Sequence, residues 1–146
     1  MSTRNARTDW NGTLQEGTGQ TELSSSKTAT FDVSWPKRTS EDADGTTSPE
    51  ELVGAAHSAC FAMQLSGNIG QAGGTPKSLS VNAAVSFGPD KEAGGFKLTG
   101  IVLTVRGEVA GLDNDGFVKA AEAAKVGCPV SKALTGVDVT LDAALD

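Results

Sequence analysis

The stretch Ser48-Pro49-Glu50-Glu51-Leu52-Val53-Gly54-Ala55-Ala56-His57-Ser58-Ala59-Cys60-Phe61 opens a helix on which the reading of the whole chain turns. Ser48 can accept a hydrogen bond from the first turn, Pro49 suits the first helical position because it has no N–H to lose, and Glu51 completes a capping box. Both carboxylates favour the positive end of the helix. The pattern predicts a helix to about Asn68. Leu52, Ala55, Ala56, Ala59 and Met63 share a small apolar face, beside a stripe of Val53, His57, Cys60 and Gln64 at intervals of four, three and four. So many alanines predict close packing against another backbone, and apolar residues around so much of the circumference predict a central helix.

Upstream, Thr8 to Gln15 and Thr21 to Ser25 read as two short antiparallel strands about a turn at Gly17 and Gly19. Thr28 to Trp35 alternates through Ala29, Phe31, Val33 and Trp35, which predicts a third strand ended by Pro36. Lys37 to Thr47 is charged and aperiodic, an exposed loop that carries Arg38.

Downstream, Gly70, Gly73, Gly74 and Pro76 break the chain, and Ser78 to Phe87 alternates again as a strand. Gly94-Gly95 predicts a hairpin turn into a longer strand, Phe96 to Val109. Asp113 caps a second helix through Phe117, Ala120, Ala121 and Ala124, with Gly127 placed for the left-handed C-terminal position. Pro129 then begins a helical turn through Val130 to Leu134 with Cys128 as its N-cap, and Val137 to Leu145 forms a last strand. The order of elements predicts an α+β fold with mostly antiparallel sheet.

A chain of 146 residues is read as one domain, 1–146. With 18 acidic and 12 basic residues its formal charge is -6, which disfavours nucleic acid and anionic membrane surfaces as partners. Met1 to Asp9 is polar, with two arginines, and lacks the apolar stretch of a secretory signal; no later segment is apolar enough to span a bilayer. A cytoplasmic location is expected. In a reducing cytosol a cysteine pair is less often a staple than a redox couple or a metal site, although free cysteine also packs as a small hydrophobe.

The two cysteines, Cys60 and Cys128, differ in setting. A thiolate at a helix N-terminus is stabilised by free backbone N–H groups, and Lys125 and Lys132 add positive charge, so Cys128 is expected to have a lowered pKa. Cys60 lies mid-helix among alanines beside Phe61, where desolvation raises the pKa unless a cation arrives from elsewhere. Arg38 can supply one, and a guanidinium also donates hydrogen bonds to a developing oxygen anion. Glu50 lies ten residues before Cys60, about 15 Å along a helix, so it cannot touch that sulfur itself; an arginine held by Glu50 would bridge the gap.

Several chemistries stay open on residue types alone. Cys60, Cys128 and His57 have the ligand types of a zinc site, without a Cys-x-x-Cys pair. His57, three residues before Cys60, is within reach to act as a base for acyl chemistry, or is simply a packed or interface histidine. Glu50 and Glu51 are ordinary first-turn carboxylates, and Arg38 taken alone is a solvated loop charge.

The stretch Thr47 to Phe61 resembles the OsmC/Ohr family of thiol peroxidases, as does Ala124-Lys125-Val126-Gly127-Cys128-Pro129-Val130-Ser131-Lys132-Ala133-Leu134. Ala56-His57 and the Lys125-x-Gly-Cys-Pro-Val-Ser run are more similar to the OsmC branch than to the organic-hydroperoxide-resistance branch. The resemblance implies an intertwined homodimer with long central helices between two sheets and an active site at each end of the interface. It implies that Cys60 is the peroxidatic thiolate and Cys128 the resolving thiol, the reverse of the order that local pKa arguments favour. Arg38 then activates the Cys60 thiolate and Glu50 orients the arginine. Arg38 is assigned by its place in the loop from Trp35 to Ser48; Arg4, Arg7 and Arg106 are the other arginines.

The implied reaction reduces organic hydroperoxides, and hydrogen peroxide, through a Cys60 sulfenic acid and a Cys60–Cys128 disulfide, in oxidative and osmotic stress defence. A dithiol reductant such as a dihydrolipoyl group restores the pair, and no metal, flavin or haem is required. The competing class is a non-enzymatic, stress-associated binding protein whose cysteines line an apolar pocket at the dimer interface.

Overall fold

Short alternating segments punctuated by glycine produce a three-stranded antiparallel sheet at the start of the chain. In the computed structural model, which describes residues 1–146, strands β1 (Arg7–Asn11), β2 (Thr18–Glu22) and β3 (Thr30–Val33) lie in that order. The first strand is shorter than its predicted span to Gln15. Trp10 donates its indole N–H to the Gly12 carbonyl at 3.0 Å, and the Gly17 N–H closes the turn on Thr13 O at 2.8 Å. Gly19 belongs to β2 rather than to the turn. A Cβ there would sit 2.9 Å from Asp9 O and 2.9 Å from the Trp10 ring, so the close strand approach requires glycine.

The third strand stops at Val33, two residues before its predicted end. Ser34 is extended and its hydroxyl accepts from the Lys37 N–H at 3.4 Å, which starts the short helix α1 (Trp35–Arg38) with Pro36 in its first turn. Trp35 and Arg38 are therefore helical, where a strand end and a loop were expected.

Helix α2 (Pro49–Gln71) begins as predicted and runs three residues beyond Asn68. Ser48 Oγ accepts from the Glu51 N–H at 3.2 Å. The Glu51 carboxylate accepts from the Thr47 hydroxyl at 2.5 Å. The chain forms two compact units, Met1–Leu52 and Val53–Asp146, with the first turn of α2 in the former and the rest of the helix in the latter.

The second unit continues with β4 (Thr75–Pro89), β5 (Phe96–Ala110), α3 (Asn114–Gly127), α4 (Pro129–Ala133) and β6 (Val139–Leu145). The hairpin of β4 and β5 is antiparallel from Thr75↔Ala110 to Pro89↔Phe96, and Gly94 and Gly95 turn it with φ of 77° and 76°. Pro76, expected to lie outside the strand, is inside β4, where the ladder shifts register between Pro76 and Ser78. Helices α3 and α4 form a crossover that returns the chain in the direction of β5. Consequently β6 pairs parallel to β5, from Ile101↔Val139 to Gly107↔Leu145.

Alternate residues of β5, Ile101, Leu103 and Val105, meet Phe61, Leu65 and Ile69 of α2 and Phe117, Ala121 and Ala124 of α3 in one buried cluster. The buried side of α2 is thus Gly54, His57, Phe61, Leu65 and Ile69, while Ala55, Ala56, Ala59 and Met63 are exposed, Met63 by 71%. Within one chain the helix is not buried around its circumference. Large side chains at intervals of four gain more from burial than alanines do, so their stripe faces the chain's own core. Gly54 lets the helix approach β4, since a Cβ there would come within 2.9 Å of Ala83 O.

Asp113 caps α3 as predicted, its Oδ1 accepting from the Gly116 N–H at 2.8 Å. Gly127 departs from its predicted left-handed role and lies within the helix. The break falls at Cys128, with φ -59° and ψ 125°, because a residue before proline is driven out of the helical region. No helix is long and apolar enough to cross a membrane.

Candidate active site

A series of side-chain contacts with α3 and α4 follows the polar stripe of the longer helix. Asn68 Nδ2 donates to Ala120 O at 3.2 Å, and Gln64, whose Nε2 donates to Asn68 Oδ1 at 3.0 Å, lies against Gly127. One turn further back along α2, Cys60 Sγ meets Cys128 Sγ at 3.0 Å. A further turn back, His57 Nε2 meets Ser131 Oγ at 2.8 Å. The contacts step backward along α2 as they advance from α3 into α4.

The two thiols are free and unequally accessible: Cys60 is half-buried, whereas Cys128 is fully buried at 0% exposure. Cys60 is therefore less enclosed than its setting among alanines predicted, because that side of α2 borders the exposed face. With both thiols protonated, Cys128 donates to Cys60. When the pair loses one proton the roles exchange, and the surroundings decide where the charge rests.

Burial pushes the Cys60 thiol above its ordinary value, and the hydrogen bond to Cys128 and the charge there push it further, against the Val130 N–H. Burial also opposes ionisation of Cys128, but hydrogen bonds from Cys60, the Ser131 N–H and hydroxyl, and the Val130 N–H together hold it below the ordinary thiol value. The local expectation for Cys128 thus agrees with its surroundings in the fold, although its hydrogen bonds rather than the lysines dominate.

His57 is fully buried; burial lowers its pKa and keeps the imidazole neutral. Its Nδ1 is buried without a hydrogen-bond partner. No three His, Cys, Asp or Glu side chains converge to hold a metal ion, so the zinc arrangement of Cys60, Cys128 and His57 is not formed.

In the N-terminal unit, Arg38 and Glu50 make the side-on pair that the sequence suggested. Arg38 Nε donates to Glu50 Oε1 and Oε2 at 3.1 and 3.2 Å, and Nη2 donates to Oε1 at 2.6 Å. Glu50 is only 7% exposed, and the fork geometry fixes the guanidinium plane. The Arg38 guanidinium also lies over the Trp35 ring, 5.8 Å from its centroid. Among the alternatives, Arg7 pairs with Asp9, Arg106 pairs with Asp142, and Arg4 donates to Thr3 O. A groove of about 320 Å³ in the same unit is lined by Trp10, Leu14, Val33, Trp35, Arg38 and Leu52.

Sequence reasoning assigned no role to Ser131, although the signal was present. Ser131 lies one turn into the helix that Pro129 opens, and its Oγ meets His57 Nε2 at 2.8 Å, while the Cys128 side chain makes no cap hydrogen bond. From these settings, ultraviolet titration of thiolate absorbance in the reduced protein is expected to show two steps for the pair. The first lies below the ordinary thiol value and the second above it, and Ser131→Ala moves the first upward. Two coincident steps at the ordinary value would contradict the hydrogen-bond account.

The chain matches the model of the OsmC-like protein family over residues 41–142. It is 39% identical to peroxiredoxin OsmC of Escherichia coli (strain K12) over 133 residues, covering 91% of this chain and 90% of that protein. It is similar in structure to an organic hydroperoxide resistance protein from Elizabethkingia anophelis (TM-score 0.79, 27% identity, 100% of this chain and 98% of that one). It is likewise similar to the organic hydroperoxide resistance protein OhrB of Bacillus subtilis (TM-score 0.75, 28% identity, 95% and 97%). Both cysteine stretches lie inside the matched region, and the chain belongs to the OsmC family.

Proposed function

We propose that the protein is a cytoplasmic thiol-dependent peroxidase that reduces organic hydroperoxides, and hydrogen peroxide, in oxidative and osmotic stress defence. The observation that carries this reading is the contact of two free sulfurs at 3.0 Å, of which only Cys60 is accessible. A peroxide can reach the half-buried sulfur and not the enclosed one, which favours Cys60 as the attacker and Cys128 as the resolver. The relatives named peroxiredoxin and organic hydroperoxide resistance protein support the same class of chemistry.

In this mechanism the Cys60 thiolate attacks the distal peroxide oxygen, the O–O bond breaks, and the alkoxide takes up a proton and leaves as an alcohol. Cys60 is left as a sulfenic acid. Cys128 attacks that sulfur, the S–O bond breaks, and water leaves as the disulfide forms. A dithiol, such as a dihydrolipoyl group, restores both thiols by exchange.

The hydrogen bonds around the pair favour charge on Cys128, so the reading requires a cation for Cys60. We assign that role to Arg38, with Glu50 as the group that orients it; the side-on ion pair supports a preset guanidinium. The apolar groove beside Arg38 suits the organic part of a hydroperoxide. With one equivalent of cumene hydroperoxide the intact mass is expected to fall by two hydrogen atoms. Cys60→Ser abolishes turnover, Cys128→Ser stops after one turnover at an oxidised Cys60, and Arg38→Ala slows peroxide consumption by about 100-fold. Full multiple turnover in Cys60→Ser, or thiols inert to the peroxide with a retained apolar ligand, would contradict the reading and favour a binding protein.

We further infer that the exposed face of Ala55, Ala56, Ala59 and Met63 is covered by a second copy of the chain, since small apolar residues allow close helix approach. Light scattering on the eluted protein is expected to give twice the chain mass of 14.8 kDa, and Ala59→Arg to shift it toward one. A monomer of unaltered fold in the native protein would contradict this.

A further inference from the structure

His57 and Ser131 lie outside the four residues assigned above. His57 precedes Cys60 by three residues and Ser131 follows Cys128 by three, so each stands one helical turn from its sulfur. Their side chains meet, Nε2 to Oγ at 2.8 Å, beside the sulfur contact at 3.0 Å. The two halves of this contact are anchored unequally. His57 is fully buried on the core side of α2, and its Nδ1 has no hydrogen-bond partner, so Ser131 is the polar constraint on the ring. Ser131 belongs to α4, a helix of five residues with none buried and no side-chain cap bond. So short a helix has little stability of its own. The Cys128 N–H bonds back to Ala124 O at 2.8 Å and the Cys128 carbonyl accepts from Lys132 at 3.0 Å, while Pro129 has no N–H to brace the joint between them. Leu134 packs against the core beyond the far end of α4. At the Cys128 end, the tie from α4 to α2 is the hydrogen bond of Ser131 with His57.

We propose that His57 and Ser131 are positioning residues whose hydrogen bond latches the first turn of α4 to α2, keeping the Cys128 sulfur within bonding reach of an oxidised Cys60. This rests on the peroxidase reading and adds residues to its second step. In that step the Cys128 sulfur, its proton lost to solvent, shares an electron pair with the Cys60 sulfenic sulfur. The S–S bond forms, the S–O bond breaks, and the departing hydroxide takes a proton from water. The oxidising equivalents come from the hydroperoxide that made the sulfenic acid.

The sulfurs at 3.0 Å must approach by only about 1 Å to bond, so closure is a small displacement as long as the joint at Cys128 stays docked. In the dithiol the contact between the sulfurs helps to hold it there. Oxidation of Cys60 places an oxygen on that sulfur and ends the thiol-to-thiol contact, and the latch one turn away is untouched. Removing the Ser131 hydroxyl penalises the docked arrangement directly, because the enclosed imidazole is then left with neither nitrogen bonded. Undocking of α4 opens the ring to water and relieves that cost. An unsatisfied buried polar group shifts such an equilibrium by about fivefold or more. The latch thus acts most at the moment of resolution and leaves the attack of Cys60 on peroxide unaffected.

The experiment follows single turnover of the full-length reduced protein with one equivalent of cumene hydroperoxide, by rapid quench and intact mass, with dimedone trapping the sulfenic acid. Ser131→Ala is expected to lower the ratio of the disulfide-forming rate to the Cys60 oxidation rate by about fivefold, with more sulfinic acid at excess peroxide. The loss persists at alkaline pH, where Cys128 is ionised in both proteins, since it comes from position and not from acidity. Ser131→Thr keeps the hydroxyl and restores the ratio. His57→Gln, whose amide can both donate to and accept from Ser131, keeps more of it than His57→Leu does. The double variant Ser131→Ala with His57→Leu is no slower than Ser131→Ala alone, because the two changes remove one bond. An unchanged ratio in Ser131→Ala, a loss that vanishes at alkaline pH, or losses that multiply in the double variant would overturn the latch while leaving the peroxidase reading intact. A native protein that forms no disulfide under these conditions overturns both.

Discussion

The seam between α2 and the α3–α4 break is the constraint on which the sulfur chemistry depends. Phe61, Leu65 and Ile69 hold one side of α2 in the core with Phe117, Ala121 and Ala124 of α3. Asn68, Gln64, Cys60 and His57 of α2 meet Ala120, Gly127, Cys128 and Ser131 in succession. Pro129 then decides where the second helix must stop. By forcing Cys128 out of the helical region it turns a fully buried side chain toward α2, where its sulfur meets that of Cys60.

Two sulfurs in such contact cannot be tuned independently. Every donor that stabilises a thiolate on Cys128 draws charge away from Cys60, and the opposite shifts of the two thiols express that competition. Enclosure works in the other sense, since Cys128 is shut off and Cys60 is open. Under the proposed reading, access selects the attacker and hydrogen bonding prepares the resolver. In that reading the arginine is the group assigned to reconcile them, and it is held side-on by a carboxylate that is itself nearly buried.

Much of this was legible in the residues. The Ser48-Pro49 start of α2, the Asp113 cap of α3, the Gly94-Gly95 turn and the alternation of β4 and β5 are local signals, and each appears where its chemistry placed it. The same was true of the Arg38–Glu50 pairing and of the preference of Cys128 for charge. What escaped was settled by competition between neighbours or by distant contacts. Gly127 looked like a left-handed terminator, but the proline two residues on moved the break to Cys128. Gly19 looked like a turn residue, whereas the Trp10 ring across the sheet explains it. Trp35 looked like a strand residue because alternation continues through it, yet the Ser34 cap starts a helix first. On α2, the alanine stripe did not tell which side meets the chain's own core; Phe61, Leu65 and Ile69 decide that. The His57–Ser131 contact spans 74 positions and has no local signature beyond the helical spacing on each side.

The central claim is that Cys60 and Cys128 act as one redox unit. A crystal structure of the protein after treatment with one equivalent of hydroperoxide tests it most directly. The account predicts continuous density joining the two sulfurs at a bond length of about 2.0 Å, with α2 and α3 otherwise in place. Two separate thiols, or Cys60 carrying oxygen while Cys128 remains unbonded beside it, would contradict it.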